Sequence, residues 1–136
     1  MELQVGVKVL LKNSEGKFLL LRRSPEKYTD VAGDWDIVGG RIEPGTPLLD
    51  NLKREVKEET GLVLTDEPKL VAAQDILRIS SRHVVRLTYI ARIDGSPKLD
   101  GDHLEYKWFD KEELKNLKEL DIYFKDILTR ELFNQL

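Results

Sequence analysis

The segment Arg54-Glu55-Val56-Lys57-Glu58-Glu59 concentrates three carboxylates and a guanidinium. A helix beginning near Pro47 sets Glu55 three and four residues before Glu58 and Glu59, so the three project from adjacent turns. Like charges at this spacing repel by about 0.2–0.5 kcal/mol per pair, which points to a positive charge held among them. Hard divalent cations prefer oxygen ligands, and Mg²⁺ commonly joins one or two carboxylates to waters and substrate phosphates. Arg54, four residues before Glu58, can pair with it or orient it. Taken alone, such a segment is usually a solvated charged face; Arg54 and the glycines upstream favour the metal reading. Gly39 and Gly40 would let the chain turn close to the acidic helix.

The helix needs ends and a core face. Thr46 suits a cap and Pro47 the first helical position, while Gly61 suits the left-handed residue that stops a helix. Leu49, Leu52 and Val56 recur at helical spacing and are expected to face the core, leaving the glutamates on a solvent-facing side. Upstream, Leu3 to Leu11 alternates and Phe18 to Leu21 follows a turn at Asn13-Ser14-Glu15-Gly16, which predicts a hairpin. Ser24 to Gly33, containing Asp30, reads as a surface loop before a short strand at Trp35 to Val38. Downstream, Leu70 to Ile79 and His83 to Ile93 form a second hairpin joined near Ser80-Ser81, and Asp94 to Asp102 is a loop. His103 to Phe109 is a strand, Asp110 caps a short helix through Leu117, and a last helix runs from Asp121 to Phe133 with Ile122, Ile127 and Leu128 among its apolar residues.

Composition narrows the chemistry. With 136 residues the chain suits one domain, residues 1–136, with a continuous core. The absence of cysteine excludes disulfide scaffolds, thiolate metal sites and cysteine nucleophiles. A net charge of -3 argues against a stable nucleic-acid partner, since phosphate neutralisation needs a basic face. No apolar run reaches membrane-spanning length and no signal-like start is present, so the expectation is a cytoplasmic protein without a membrane partner.

The residues from Gly40 to Leu62 resemble the box of the Nudix hydrolase family, MutT-like proteins among them. Its pattern is glycine, five residues, glutamate, seven residues, Arg-Glu, an aliphatic residue, any residue, Glu-Glu, any residue, glycine, aliphatic. Gly40, Arg54, Glu55, Val56, Glu58, Glu59, Gly61 and Leu62 all fall in register, whereas the first glutamate falls on Thr46. Asp34-Trp35-Asp36-Ile37-Val38 is similar to the approach to the box, with Val38 where proline is common. Glu43 matches a frequent family glutamate that would partly compensate for Thr46. The resemblance implies an α/β fold, the Nudix α/β/α sandwich with a central mixed sheet. It implies Glu55, Glu58 and Glu59 as metal ligands for Mg²⁺ or Mn²⁺, Arg54 as orienting residue, and Glu58, Glu59 or Glu105 as the base. The implied reaction is hydrolysis of a pyrophosphate bond in a nucleoside diphosphate linked to another moiety, such as a nucleoside triphosphate or ADP-ribose.

Thr46 is a poor substitute for a carboxylate ligand, so a nucleotide-binding module with weak or no hydrolysis is the alternative. For binding the small-molecule nucleotide, Gly39, Gly40, Arg41 and Trp35 are the candidates, Trp35 and Tyr28 by stacking on a base. Arg22, Arg23 and Lys27 are further phosphate contacts. Trp35 equally suits core packing, and His83 and His103 read as surface or packing residues. A homodimer is compatible with the sequence.

Overall fold

The alternation at the N-terminus has two distinct phases, Val5, Val7, Val9 and Leu11 against Gly6, Lys8 and Leu10. A strand with that pattern has a buried residue on both faces of its sheet. In the computed structural model, which describes residues 1–28 and 33–133, it is β1 (Glu2–Lys12), at the heart of a 7-stranded sheet. β1 runs parallel to β6 (Arg82–Arg92) along its whole length, from Glu2↔Arg82 to Lys12↔Arg92. Its other edge is shared by β4 (Val38–Arg41) and then β2 (Phe18–Arg23), both antiparallel. The first expected hairpin therefore exists but pairs only at Leu11↔Leu19 and Lys12↔Phe18, because β4 takes the middle of the edge. β2 carries β3 (Trp35–Asp36) and β7 (His103–Phe109), and β5 (Lys69–Ile76) borders β6. The second hairpin is β5–β6, with β5 ending at Ile76 rather than Ile79.

Helices cover both faces, which gives the expected α/β/α layers. Val7, Val9, Leu11, Leu19 and Tyr89 pack against Leu52 and Val56 of α1 (Leu48–Thr60). On the other face Leu10, Leu20 and Ile90 pack against Leu114 of α2 (Lys111–Lys115) and Phe124, Ile127 and Leu128 of α3 (Ile122–Thr129). Asp110 caps α2 in a reciprocal capping box with Glu113. Asp121 caps α3 by accepting the amides of Tyr123 and Phe124. Both helices are shorter than expected, since α2 stops before Leu117 and α3 before Phe133. Ile122 stays exposed.

Several expectations around α1 change. Pro47 is the N-cap with extended ψ 152, the helix begins at Leu48, and the Thr46 hydroxyl caps nothing. Leu49 is exposed, because the buried stripe of α1 runs through Asn51, Leu52, Val56, Glu59 and Thr60 and so turns Glu59 toward the sheet while Glu58 stays outside. Gly61 ends the helix as expected, at φ 71 with its amide on the Lys57 carbonyl. Gly39 and Gly40 form no turn but lie inside β4, opposite Lys8 and Val7. The expected surface loop falls partly outside the described residues, at 29–32 including Asp30.

Glycine is required at 39 for two reasons. Its φ is +139, and a Cβ there would run into the Val7 carbonyl oxygen. Gly16 also has positive φ, at +79, but a Cβ there meets nothing. Denaturant unfolding is expected to show Gly39→Ala costing about 3 kcal/mol or more, from strain and a backbone clash together. Gly16→Ala should cost only about 1–2 kcal/mol, the left-handed penalty alone.

Candidate active site

The i, i+4 spacing of Glu55 and Glu59 brings both carboxylates from α1 against β4. A Cβ on Gly40 would sit 2.8 Å from a Glu55 carboxylate oxygen, so the missing side chain at 40 is what lets the helix approach the strand. Glu59 accepts the Gly39 amide at 3.5 Å. The side chains of Glu55 and Glu59 are only 13% and 8% exposed, whereas Glu58 is 58% exposed. The three carboxylates expected to act together are thus a buried pair and one solvent-facing member.

Burial makes the pair electrostatically costly. It pushes the Glu59 pKa well above the usual carboxylate range, and the hydrogen bond and charge of Glu55 push it further, against the opposing pull of Lys8 and the Gly39 amide. The His103 ring stands 3.8 Å from Glu59, held through its other nitrogen by Asp100 at 2.8 Å and packed beside Tyr28. His103 is therefore a buried neighbour of the acidic pair and not a surface residue; His83 sits apart, on Asp75. Arg54 organises the other side. It donates to Glu55 at 3.0 Å, Glu58 at 3.2 Å, Asn51 at 3.1 Å and the Arg41 carbonyl at 3.3 Å. Burial works against its charge, but Glu55, Glu43 and Glu58 outweigh that and raise its pKa.

The acidic pair forms one wall of a cleft of about 580 Å³ whose lining also includes Lys8, Arg23, Arg41, Arg82 and Arg86. Tyr28 and Tyr123 add aromatic faces. The cleft floor is an ion cluster that sequence reasoning did not find. Arg86 grips Asp36 through two bonds, at 2.9 and 3.1 Å, and reaches Asp121 at 3.2 Å. Arg23 contacts both aspartates, and Lys8 reaches Asp36 at 3.1 Å and the Gly39 carbonyl at 3.0 Å. Burial opposes ionisation of Asp36, yet Arg86, Lys8 and Arg23 hold it far below the ordinary carboxylate range. The missed signal was phase: Arg86 occupies the same face of β6 as Val84, Thr88 and Ile90, a buried position for a cation.

Of the sequence candidates, Gly39, Gly40, Arg41, Glu55 and Glu59 line this cleft, with Arg54 and Glu58 alongside. Arg23, Lys27 and Tyr28 line it as well, whereas Trp35, Glu105 and Arg22 are placed elsewhere. Trp35 packs edge-on against Phe109 at 5.2 Å in the core on the α3 side, so it offers no face to a ligand in the cleft. Glu105 lies on β7 with an exposed carboxylate paired to Arg22 at 3.5 Å, because the β2–β7 register sets those residues opposite each other. Arg41 is brought near Arg82, and burial together with that like charge lowers its pKa.

Among the described residues no three histidine, aspartate or glutamate side chains converge as they stand on one cation. The donor chemistry nonetheless fits a hard divalent ion. Glu55 and Glu59 are buried and joined by a hydrogen bond, a setting in which burial favours the protonated form of Glu59 and a cation can take the proton's place, and the adjacent Glu58 supplies a further oxygen.

The proton on this pair has a measurable consequence. A carboxyl whose folded pKa is raised binds a proton that the unfolded chain releases above about pH 4.3. Its contribution to stability is complete below that pH and is lost as pH rises toward the raised value. In EDTA, the melting temperature of the wild type should fall relative to Glu59→Gln as pH increases from about 5. Excess Mg²⁺ should narrow the gap, and a gap independent of pH would show that the pair carries no linked proton.

Comparison with known proteins bears on the family and the fold. The NUDIX domain family profile matches residues 2–130. The MutT protein of Methanosarcina mazei superposes with a TM-score of 0.85 at 29% identity, covering 99% of this chain and 97% of that one. The nucleoside triphosphatase NudI of Escherichia coli K12 is 26% identical over 76% of this chain and 80% of its own length. An ADP-ribose pyrophosphatase of Methanocaldococcus jannaschii is 31% identical over 76% of this chain and 60% of its own. Human NUDT18, an 8-oxo-dGDP phosphatase, is 31% identical over 65% of this chain, but the match spans only 28% of that protein. With a match over nearly its whole length, a mixed sheet between two helical layers and the acidic helix packed on a glycine strand, the chain belongs to the Nudix family.

Proposed function

We propose that this chain is a divalent-cation-dependent pyrophosphohydrolase, using Mg²⁺ or Mn²⁺, that acts on a nucleoside diphosphate linked to another moiety. The observation that carries the reading is the buried Glu55–Glu59 pair on one wall of a cleft otherwise lined largely by cations. The relatives named a nucleoside triphosphatase, an ADP-ribose pyrophosphatase and an 8-oxo-dGDP phosphatase share a phosphoric anhydride as the bond at issue.

Each side chain then has a task. Glu55, Glu59 and, from the rim, Glu58 would hold the cation, which supplies neutralisation of the diphosphate and a more acidic water. Glu58 is exposed and bonded to Arg54, which supports it as the group that would accept the proton of the attacking water. Arg41 and Arg82 repel each other across the cleft, and the non-bridging oxygens of a diphosphate relieve that repulsion. Lys8, Arg23 and Arg86 are committed to Asp36 and Asp121 and fix the floor. Tyr28 and Tyr123 provide the faces on which a nucleobase can stack, the role expected of Trp35.

A screen of nucleoside triphosphates, ADP-ribose, nucleotide sugars and dinucleoside polyphosphates with Mg²⁺ and Mn²⁺ tests the reading. Turnover that disappears in EDTA is the expected result. Glu58→Gln should lower kcat by about 10²–10⁴-fold, as removal of a general base does, and weaken Mn²⁺ binding less than loss of a buried ligand. Glu59→Gln should weaken Mn²⁺ binding itself. Arg41→Ala should act mainly on KM. Nucleotide binding without turnover on any substrate would favour the binding-module alternative.

A further inference from the structure

Glu55 and Glu58 take Arg54 from the helix side, while the box position upstream carries Thr46 in place of a carboxylate that could hold it from the loop. Asn51, fully buried in the first turn of α1, makes the required contacts. Its amide oxygen accepts the Glu43 backbone N–H at 2.9 Å and Arg54 Nη2 at 3.1 Å. Its amide nitrogen donates to the carbonyls of Thr46 at 2.8 Å and Pro47 at 2.9 Å. One side chain thereby ties the approach loop to α1 and to the guanidinium that steers Glu55 and Glu58. Glu43 does not take this part through its side chain: its carboxylate is 64% exposed and stands 3.6 Å from Arg54 Nε.

We propose that Asn51 is a positioning residue that replaces the missing carboxylate at 46 with a neutral acceptor, so that Arg54 and through it Glu58 keep their geometry. The idea rests on the metal-dependent hydrolysis proposed above. A neutral amide suits the position physically, because a buried amide with its bonds made carries a far smaller desolvation cost than a buried carboxylate. The exchange leaves one trace. Arg54 Nε makes no hydrogen bond and has only the Glu43 carboxylate near it, 3.6 Å away on a side chain that is 64% exposed. The Thr46 carbonyl is one hydrogen bond from the Asn51 amide, and Arg54 is one hydrogen bond from its oxygen.

The test is a double-variant cycle of Asn51→Ala and Thr46→Glu, read by steady-state kinetics, Mn²⁺ titration and thermal unfolding. Asn51→Ala should lower kcat about 10–100-fold, as loss of a residue behind a ligand does, with KM nearly unchanged and weaker Mn²⁺ binding. Adding Thr46→Glu should recover most of both, although in the wild type the same change should have little effect. Asn51→Asp keeps the acceptor toward Arg54 and loses the donors to the loop, so it should retain kcat; it also serves if Asn51→Ala does not fold. Unchanged kcat and Mn²⁺ affinity in Asn51→Ala would overturn the proposal. So would a double variant no better than Asn51→Ala, or an Asn51→Asp as impaired as the alanine. If the wild type turns over no substrate, the hydrolase reading fails on its own, and the cycle in Mn²⁺ affinity and melting temperature still decides whether Thr46→Glu restores what Asn51→Ala removes.

Discussion

The salt bridge between Arg86 and Asp36, with both side chains almost without solvent, is the contact on which the rest of the site depends. Charges so placed are tolerated only when every partner is present, and here the partners come from separate parts of the chain. Lys8 belongs to β1, Arg23 to β2, Asp36 to β3, Arg86 to β6, and Asp121 caps α3. The cluster therefore fixes where β3 ends and β4 begins, and β4 is the strand that receives the acidic helix. Lys8 makes the link explicit by holding Asp36 and the Gly39 carbonyl at once.

From that fixed floor the two opposed walls of the cleft follow. Gly39 accepts a backbone conformation closed to side chains, Gly40 leaves room for Glu55, and α1 settles close enough to bury Glu59 beside the Gly39 amide. Two carboxylates in one dry pocket destabilise each other as anions, while Arg41 and Arg82 across the cleft do the same as cations. Acidic and basic groups gathered in one cleft are what the ligand proposed above, a polyphosphate with its cation, would need.

The carboxylates are not equivalent, although sequence spacing treats them alike. Glu59 is buried and protonation-prone, Glu55 is bonded to it, and Glu58 faces water in the grip of Arg54. Such a division allows cation binding and proton transfer to fall on different groups of one helix. Arg54 in turn depends on Asn51, a residue between the box positions that no pattern marks.

Local chemistry was legible in the sequence. Alternation gave the strands, Gly61 the end of α1, Asp110 the cap of α2, and the Arg54-to-Leu62 spacing the acidic unit and its family, because each is decided by residues within a turn or two of one another. What depends on neighbours distant in the chain was decided only by the tertiary structure. Leu49 faces solvent and Glu59 does not, since the rotation of α1 is set by contact with β4 and β1 and not by its own apolar count. Trp35 turns to Phe109 and Glu105 to Arg22 because strand register chose those partners. The cluster of Lys8, Arg23, Asp36, Arg86 and Asp121 spans most of the chain, and only folding brings it together.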